Sequence, residues 1–527
     1  MNYVSLMYLI VFLPLVLLAY SIMPKRYRWS VLLLASYVFF ILMSRKLIVY
    51  LIISTLSIYG IGLWLSWCKK NYSKKEKSAD NVSALKKSYK KKQRMILLFG
   101  ILFNIGILVF LKYSNFMISN INPILKALSA PRLLPEWKFA LPLGISFYTL
   151  QAVSYIVDVY QDKIQADRNL PRLALFMSFF PIIMEGSICR YSDTAEDLYR
   201  GESLKYRNVT FGIQRVVWGV FKNIVIADRL NILVKTVFDN YNQYGGIIVI
   251  LAAICYTFQL YMNFSGTIDM TIGVGEMFGV KIPENFRQPF FSKTAAEFWQ
   301  RWHITLGTWF KDYIFYPISL TKFIKKLGKK TRKKFGKHIG QIIPTMIPLF
   351  TVWLCNGLWH GDRWSYIFFG MYYFVLILLG KVAEPLNKKI ISSLKISKDN
   401  IFYRCLQSVK MLAIIFTGEL FFRANGIKAG LVMFGSIFTK FSLNTLVDGS
   451  ILNLGISYKD FIVVLLAFIA VLAVGILNEK GISIREKIAS WNIFFRWSFY
   501  YTVLLIVIVF GAYGEGYLPA ELIYAGF

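Results

Sequence analysis

Long runs of apolar residues alternate with short polar segments along the whole chain. Many runs approach the length of about 20 residues that a helix needs to cross a bilayer. We count about eleven to fourteen such runs, because Gly and Pro interrupt several of them. The pattern predicts an all-α, polytopic membrane protein with transmembrane or re-entrant helices. The expected spans lie near residues 3–22, 29–44, 47–67, 95–111, 141–160, 209–227, 246–264, 339–380 (crossed twice), 406–423, 460–478 and 497–513.

The composition agrees with a membrane location. Hydrophobic residues make up 56% of the 527 residues and charged residues 17%, whereas a soluble domain carries about 25% charged residues. The first apolar run has neither a basic segment before it nor a small-residue cleavage site, so we interpret it as a retained span. The five cysteines include no CxxC pair, which argues against a disulfide framework and against a thiolate metal site.

The formal net charge of +33 comes from basic blocks between the apolar runs. Residues 69–94 contain eleven Lys or Arg, and residues 322–337 contain nine with no Asp or Glu. Such blocks are typical of cytoplasmic loops that face acidic membrane lipids, and they do not indicate nucleic-acid binding. If the second block and the basic residues after Lys381 are both cytoplasmic, residues 339–380 go out and back. The turn then falls at residues 360–363, away from the cytoplasm.

Polar residues inside apolar runs predict contacts with protein instead of lipid. The run at 141–160 carries Gln151, Ser154 and Asp158, so we expect it to be buried in the protein. The run at 179–191 contains an acid, a proline and a glycine, as a broken or re-entrant segment does.

Two further local predictions concern prolines and one charge pair. The outer stretch 120–137 contains three prolines, which argue against a continuous helix there. Glu419 and Arg423 lie one turn apart in a later span, where they can pair inside the helical bundle.

One of the three histidines, His360, lies between two apolar runs, directly after Trp359 and near Asn356. A neutral imidazole can accept a proton near neutral pH, and an apolar surrounding keeps it neutral. His360 is therefore a candidate general base for a hydroxyl, a role that typically gives a rate effect of about 10²- to 10⁴-fold. The alternative is an interfacial histidine in an aromatic belt.

A second histidine, His303, follows Trp299 and Trp302 in an amphipathic, aromatic-rich stretch. It is the second candidate for chemistry, and the alternative is an interfacial helix that the tryptophans anchor. The third histidine, His338, lies beside the basic block at 322–337, where we expect a solvated loop.

Three acids, Asp269, Glu276 and Asp312, lie near apolar runs and are candidates for catalytic acids. Buried ion pairs with neighbouring Lys or Arg are the competing interpretation. No third ligand at HxxxH or HExxH spacing accompanies His303 or His360, so a metal is not indicated. The sequence also lacks a GxSxG elbow, a Walker lysine motif and a GxGxxG after a strand, which argues against hydrolase, NTPase and dinucleotide-binding functions.

Several motifs together resemble the membrane-bound O-acyltransferase (MBOAT) family, and most closely the bacterial branch to which alginate O-acetylation membrane proteins belong. The resemblance covers about residues 142–364 and two later points, while residues 1–135 are only compatible with it. The motifs, in chain order, are PLGISFYTLQAVSYIVDVY, YMNFSGTIDM, PENFRQPFF, EFWQRWHITLGTWFKDYIFYP, GLWHGDRW, FFRANG and the C-terminal GYLPAELIYAGF.

The resemblance implies an MBOAT-like bowl of helices with a thin central core. It matches His360 to the family's essential histidine and His303 to its second one, which would orient or polarise the reacting groups. The chain would form one integral membrane unit with N-terminal spans (1–135), a catalytic core (136–384) and C-terminal spans (385–527). The residues expected to line or support the substrate channel are Trp299, Trp302, Asn356, Trp359 and Asp312.

The implied activity is transfer of an acyl group, in the first place acetyl, from a cytoplasmic thioester across the bacterial plasma membrane. The acceptor would be a hydroxyl of an extracytoplasmic polysaccharide or of a partner protein, such as an SGNH-type acetyltransferase. Acetyl-CoA or another acyl thioester would be the donor substrate, with no bound cofactor. Two alternatives stay open: D-alanyl transfer to teichoic acid from a carrier protein, and a transporter or channel, although no paired halves are visible.

Overall fold

The computed structural model describes residues 3–78, 80–129, 132–137, 139–397, 399–513, 517 and 519–520. Every regular element within these residues is a helix, apart from one isolated antiparallel bridge. The prediction of an all-α fold is therefore confirmed. Pro131 and most of the C-terminal motif GYLPAELIYAGF lie outside the described residues.

Nine helical stretches of the described chain are long and apolar enough to cross a membrane. One of them, Lys25–Glu76, contains two of the expected spans, and the shorter apolar stretches Met7–Ile22 and Ile427–Thr439 accompany the nine. Large apolar side chains are exposed along many of these helices, as surfaces that face lipid require. The protein is therefore a multi-pass membrane protein, as the sequence predicted.

The helices group into two compact units. The first unit holds most of the chain up to Ile213 together with Thr271–Pro283, and the second holds Gln214–Met270 and the chain from Glu284 on. The first seven helices are α1 (Leu13–Ile22), α2 (Arg28–Ser44), α3 (Ile48–Glu76), α4 (Val82–Ala127), α5 (Ile145–Tyr160), α6 (Leu170–Ser178) and α7 (Tyr191–Arg200). The remaining helices are α8 (Tyr206–Val220), α9 (Asp228–Asp239), α10 (Ile247–Met277), α11 (Ala295–Arg301), α12 (Ile304–Phe310), α13 (Tyr316–Ser319), α14 (Lys322–His360), α15 (Trp364–Val382), α16 (Glu384–Ser393), α17 (Ile401–Arg423), α18 (Ile427–Thr439), α19 (Tyr458–Glu479), α20 (Ile484–Ala489) and α21 (Ile493–Phe510).

In the first unit, α5 is buried along nearly its whole length. Gln151, Ser154 and Asp158 are at most 3% exposed, which confirms that this helix faces protein. Asp158 lies 3.4 Å from the ammonium of Lys163, so its charge is paired beyond the helix end. Residues 179–189 form turns and irregular chain that is buried in the same unit, as predicted for a broken segment.

Helix α4 is longer than the sequence pattern indicated. It continues through Pro123 to Ala127, where the prolines of the stretch 120–137 predicted irregular chain. The Asn120 side chain donates to the Phe116 carbonyl at 2.7 Å and pairs that group locally. The prediction was wrong for residues 120–127, because one proline near the end of a 46-residue helix removes a single backbone hydrogen bond. It is confirmed for the described residues 128–129 and 132–137, which belong to no helix.

Two basic blocks that were expected as loops are largely helical. The block at 69–94 contains the end of α3 and the start of α4, where the Asn81 side chain accepts a backbone N–H at 2.9 Å and caps the second helix. The block at 322–337 forms the first turns of α14, because lysine is a good helix former and Thr321 caps the helix.

A kink at Gly336 folds the basic part of α14 back against the following turn. Gly336 has φ of 72°, a left-handed conformation that favours glycine. Across the kink, Thr331 Oγ1 donates to Gly340 O at 2.8 Å. His338 therefore lies on a helical turn, with Nε2 3.4 Å from the carbonyl oxygen of Val382, and not in the predicted loop.

In the second unit, the largely buried carboxylate of Asp269 is paired with two cations. Its oxygens lie 3.0 Å from Arg215 Nε and 2.6 Å from Lys222 Nζ. This contact confirms the ion-pair interpretation of Asp269. The suggested pair of Glu419 with Arg423 is wrong, because the guanidinium of Arg423 pairs instead with Asp239 at 3.1 Å.

Candidate active site

The first histidine segment contains a break between two short helices. Helix α11 begins after Thr294, whose side chain caps it, and α12 begins at Ile304. Trp302 and His303 lie between them. His303 has φ of 46°, a left-handed conformation that costs a residue with a Cβ about 1–3 kcal/mol. The surrounding structure must therefore hold this residue in place.

A short antiparallel pairing with an upstream segment holds the break around His303. Residues 285–287 pair with residues 301–304 through two backbone hydrogen bonds of 2.9 and 3.0 Å. Phe286 and Trp302 form the isolated bridge between these bonds. The pairing satisfies backbone groups that the end of α11 and the start of α12 leave without helical partners. It thereby fixes the backbone on both sides of the imidazole.

The side chain of Asn285 contacts both His303 and the residue Thr305. Its Oδ1 accepts from Thr305 N at 3.0 Å and from Thr305 Oγ1 at 2.9 Å. His303 Nδ1 lies 3.2 Å from the same oxygen. One buried amide oxygen thus ties the imidazole to the first turn of α12.

His360 is the last residue of α14, at the turn into α15. Two glycines let these helices pack closely. A Cβ on Gly357 would lie 2.6 Å from a backbone oxygen of α15, and a Cβ on Gly370 would lie 2.3 Å from a backbone oxygen of α14. The end of one helix and the start of the next confirm the turn predicted at residues 360–363.

Gly370→Ala is expected to separate α14 from α15 and to lower both the melting temperature and the activity. Its methyl group would meet the Trp353 carbonyl, and overpacking of this kind costs about 1–3 kcal/mol. The matched control is Gly380→Ala in the same helix, where a Cβ would meet open space in the described part of the chain. The control should keep or slightly raise the melting temperature, because alanine is the better helix former. Equal melting temperatures for both variants would contradict the close packing.

The two histidines contact the same tryptophan ring. The centroid of the Trp359 ring is 5.4 Å from that of His303 and 5.2 Å from that of His360. His303 is 1% exposed and His360 4%. The rings of Phe264 and Phe422 contact the two imidazoles edge-on, at 4.9 and 5.1 Å. The structure thus brings together the two histidines that the sequence singled out, inside an aromatic enclosure.

Burial sets the protonation of His303. It lowers the pKa of the imidazole well below the ordinary value, and charge on the nearby His360 lowers this pKa further. Because the neutral form is the one that burial favours, protonation of His303 requires a pH well below that at which a solvated histidine titrates. At neutral pH the ring therefore keeps one nitrogen lone pair.

The tryptophans expected at the site pack within the second unit. Trp302 is buried, and its ring centroid lies 5.1 Å from that of Phe286. Trp299 is half-buried, with ring centroids 5.0 Å from Trp353 and 4.9 Å from Tyr373. These contacts describe an aromatic cluster inside the protein and not an exposed helix that tryptophans anchor.

Polar atoms interrupt the aromatic cluster. Asn356 is buried one turn before His360, and Asp312 is half-buried in a π-helical turn after α12. Asn356 Oδ1, Trp299 Nε1 and Tyr373 Oη are buried without a hydrogen-bond partner among the residues that the structure describes. Buried polar atoms of this kind normally pair with water or with a ligand. The cluster therefore combines an aromatic surface with buried polar atoms that a water molecule or a ligand can pair.

Sequence reasoning did not single out Asn285, Phe264 or Phe422. Asn285 lies in the PENFRQPFF motif, so its place in that motif was the available signal. Phe264 and Phe422 lie in the YMNFSGTIDM and FFRANG motifs, but no spacing along the chain connects their helices, α10 and α17, to the histidines. Only the folded structure identifies these two rings as neighbours of the site.

Comparison with known proteins gives one family and several relatives. The profile of the membrane-bound O-acyltransferase family, MBOAT, matches residues 92–332. The chain is 32% identical to the "Probable alginate O-acetylase AlgI" of Pseudomonas syringae pv. tomato, over 83% of this chain and 75% of the relative. It is 30% identical to the "Peptidoglycan O-acetyltransferase" of Helicobacter pylori, over 56% of this chain and 57% of the relative. It is also 30% identical to the "Teichoic acid D-alanyltransferase" of Bacillus subtilis, over 47% and 60%.

Proposed function

Because the chain belongs to the membrane-bound O-acyltransferase family, we propose that it transfers an acetyl group from a cytoplasmic thioester across the membrane to a hydroxyl of a cell-surface polysaccharide. Membership makes the protein an O-acyltransferase, and acetyl-CoA as donor and the polysaccharide as acceptor are the proposal. The observation that carries it is the pair of buried imidazoles in contact with the Trp359 ring. A neutral imidazole in an apolar enclosure suits proton transfer from a hydroxyl.

In the proposed reaction, His360 is the general base. It accepts the proton of the acceptor hydroxyl while the hydroxyl oxygen attacks the thioester carbonyl. A C–O bond forms, the C–S bond breaks, and the imidazolium of His360 returns the proton to the leaving thiolate. His303 assists by orienting or polarising the reacting groups. The path of the substrates would be lined or supported by five further residues: Trp299, Trp302, Asn356, Trp359 and Asp312.

The names of the relatives support a polymer as the final acceptor. The alginate O-acetylase and the peptidoglycan O-acetyltransferase are named for surface polymers. We therefore propose an extracytoplasmic SGNH-type acetyltransferase as the partner that passes the acetyl group to the polymer. D-alanyl transfer is the second candidate function, since the teichoic acid D-alanyltransferase is also similar, over a smaller share of this chain.

The donor can be tested with the full-length protein in nanodiscs. With radiolabelled acetyl-CoA and an added polysaccharide or SGNH-type protein, we expect free CoA thiol and labelled acetyl ester to appear in equal amounts. A D-alanyl carrier protein serves as the competing donor in a parallel reaction. Turnover of the carrier protein alone would replace the acetyl proposal with aminoacyl transfer. Turnover of neither donor by folded protein would contradict both.

A further inference from the structure

Asn285 places a buried amide against the ring of His303. The Asn285 side chain is fully buried, and its Oδ1 lies within hydrogen-bond distance of Thr305 N (3.0 Å), Thr305 Oγ1 (2.9 Å) and His303 Nδ1 (3.2 Å). Because a histidine has two possible neutral forms, contacts of this kind decide which ring nitrogen carries the hydrogen atom.

The backbone of Thr305 fixes which way the amide of Asn285 points. A backbone N–H is a donor in every protonation state, so the amide atom that faces it at 3.0 Å must be the oxygen and not the NH₂ group. An amide oxygen only accepts hydrogen bonds. His303 Nδ1, at 3.2 Å from the same oxygen, must therefore carry a hydrogen atom and donate it.

Burial decides the state of the other nitrogen of His303. The side chain is 1% exposed and lies between the rings of Phe264 and Trp359. Such a surrounding disfavours the charged imidazolium. A neutral imidazole carries a single N–H, which here is on Nδ1, so the lone pair is on Nε2.

We propose that Asn285 is a positioning residue that holds His303 in the Nδ1–H form and makes Nε2 its basic nitrogen. The role of Nε2 in acyl transfer rests on the proposed function, whereas the form of the ring does not. In that reaction Nε2 accepts a hydrogen bond from an O–H or N–H of the reacting groups. His303 then orients a donor, and it does not polarise the thioester carbonyl, because Nε2 has no hydrogen atom to give.

Hydrogen bonds hold the segment around Asn285 in place. The adjacent Glu284 is bound by Arg215 through two hydrogen bonds of 2.7 and 2.6 Å. Arg215 Nε also donates to Asp269 of α10 at 3.0 Å. The backbone oxygen of Asn285 accepts from Ile304 N at 3.0 Å. Contacts of the neighbouring side chain and of its own backbone therefore hold the chain at Asn285, as preorganised sites require.

Nitrogen NMR of histidine-labelled, full-length protein in nanodiscs tests the ring form directly. The chain has three histidines, and His338→Gln and His360→Gln assign the signals. We expect His303 to show a protonated Nδ1 and an unprotonated Nε2. Asn285→Asp should keep Nδ1 protonated, because a carboxylate oxygen also accepts. Asn285→Leu, which has a similar shape and no acceptor, should let the Nε2–H form appear.

Two NMR outcomes would overturn the inference. One is a wild-type His303 with its hydrogen atom on Nε2, and the other is an unchanged ring form in Asn285→Leu. If Asn285→Leu does not fold, the wild-type and Asn285→Asp spectra still decide. The kcat of Asn285→Leu should fall by about 10- to 100-fold, with KM little changed, as when a group that orients a functional imidazole is removed. If the wild type does not turn over acetyl-CoA while the ring form follows Asn285, the proposed function fails and the assignment of the ring form stands.

Discussion

His360→Ala should abolish acyl transfer while the protein stays folded. The imidazole is the group proposed to take the hydroxyl proton, and a general base contributes about 10²- to 10⁴-fold to the rate. The release of CoA thiol by protein in nanodiscs measures kcat. Truncation also leaves a small cavity beside Phe422, so the melting temperature must be recorded with the activity.

Two further histidine variants separate loss of the base from loss of structure. His360→Gln fills most of the space of the ring and has no basic nitrogen, so it should be as inactive as His360→Ala. His338→Ala removes a histidine side chain far along the sequence from His360, on a helical turn near the carbonyl of Val382. This variant should keep full activity. Transfer retained in both His360 variants would refute the base assignment. An equal loss in His338→Ala would show that the effect is not specific to the site.

Hydropathy predicted most of the spans, because a membrane sets the length and the polarity of whatever crosses it. The spans expected near 246–264, 406–423 and 460–478 lie within α10, α17 and α19. The polar blocks at 69–94 and 322–337 were misassigned as loops. Hydropathy does not separate a basic loop from a basic helix, and the outcome depends on lysine propensity and on side-chain caps.

The two histidines could be found from the sequence, but the geometry around His303 could not. His303 and His360 were recognisable because the chain has only three histidines and these two lie beside tryptophans. The left-handed backbone at His303 depends on pairing with residues 285–287, and helix α11 lies between the two paired segments. Long-range pairing of this kind overrides local propensity.

The second unit links its buried charges to the candidate site through neighbouring residues. Arg215 bridges Asp269 of α10 and Glu284, and Glu284 directly precedes Asn285. Asn285 in turn contacts His303. A change in the ion-pair network is therefore expected to act on the site by loosening the segment that orients the imidazole, without any contact with substrate.

Asp269→Ala should destabilise the protein strongly. Alanine would leave the ammonium of Lys222, which now lies 2.6 Å from the carboxylate, as a largely buried cation without its anion. The guanidinium of Arg215 would lose its contact with Asp269 and keep only the more exposed Glu284. Removal of one partner from a buried ion pair costs about 3–5 kcal/mol. We expect a clear fall in the melting temperature of the protein in nanodiscs. We also expect reduced acyl transfer, because Arg215, which binds Glu284, loses the contact with Asp269 that holds it in place.

The matched control for Asp269→Ala is Asp239→Ala, which removes a carboxylate from an exposed pair. The Asp239 side chain is 58% exposed, and its carboxylate lies 3.1 Å from the guanidinium of Arg423. Loss of this exposed ion pair should lower the free energy of unfolding by only about 0.2–1 kcal/mol. Adding Lys222→Met to Asp269→Ala removes the cation that has lost its anion and should recover part of the melting temperature, because the two positions are in contact and their effects are not additive. Equal shifts for Asp269→Ala and Asp239→Ala, or no recovery in the double variant, would show that burial of the Asp269 cluster does not set its contribution to stability.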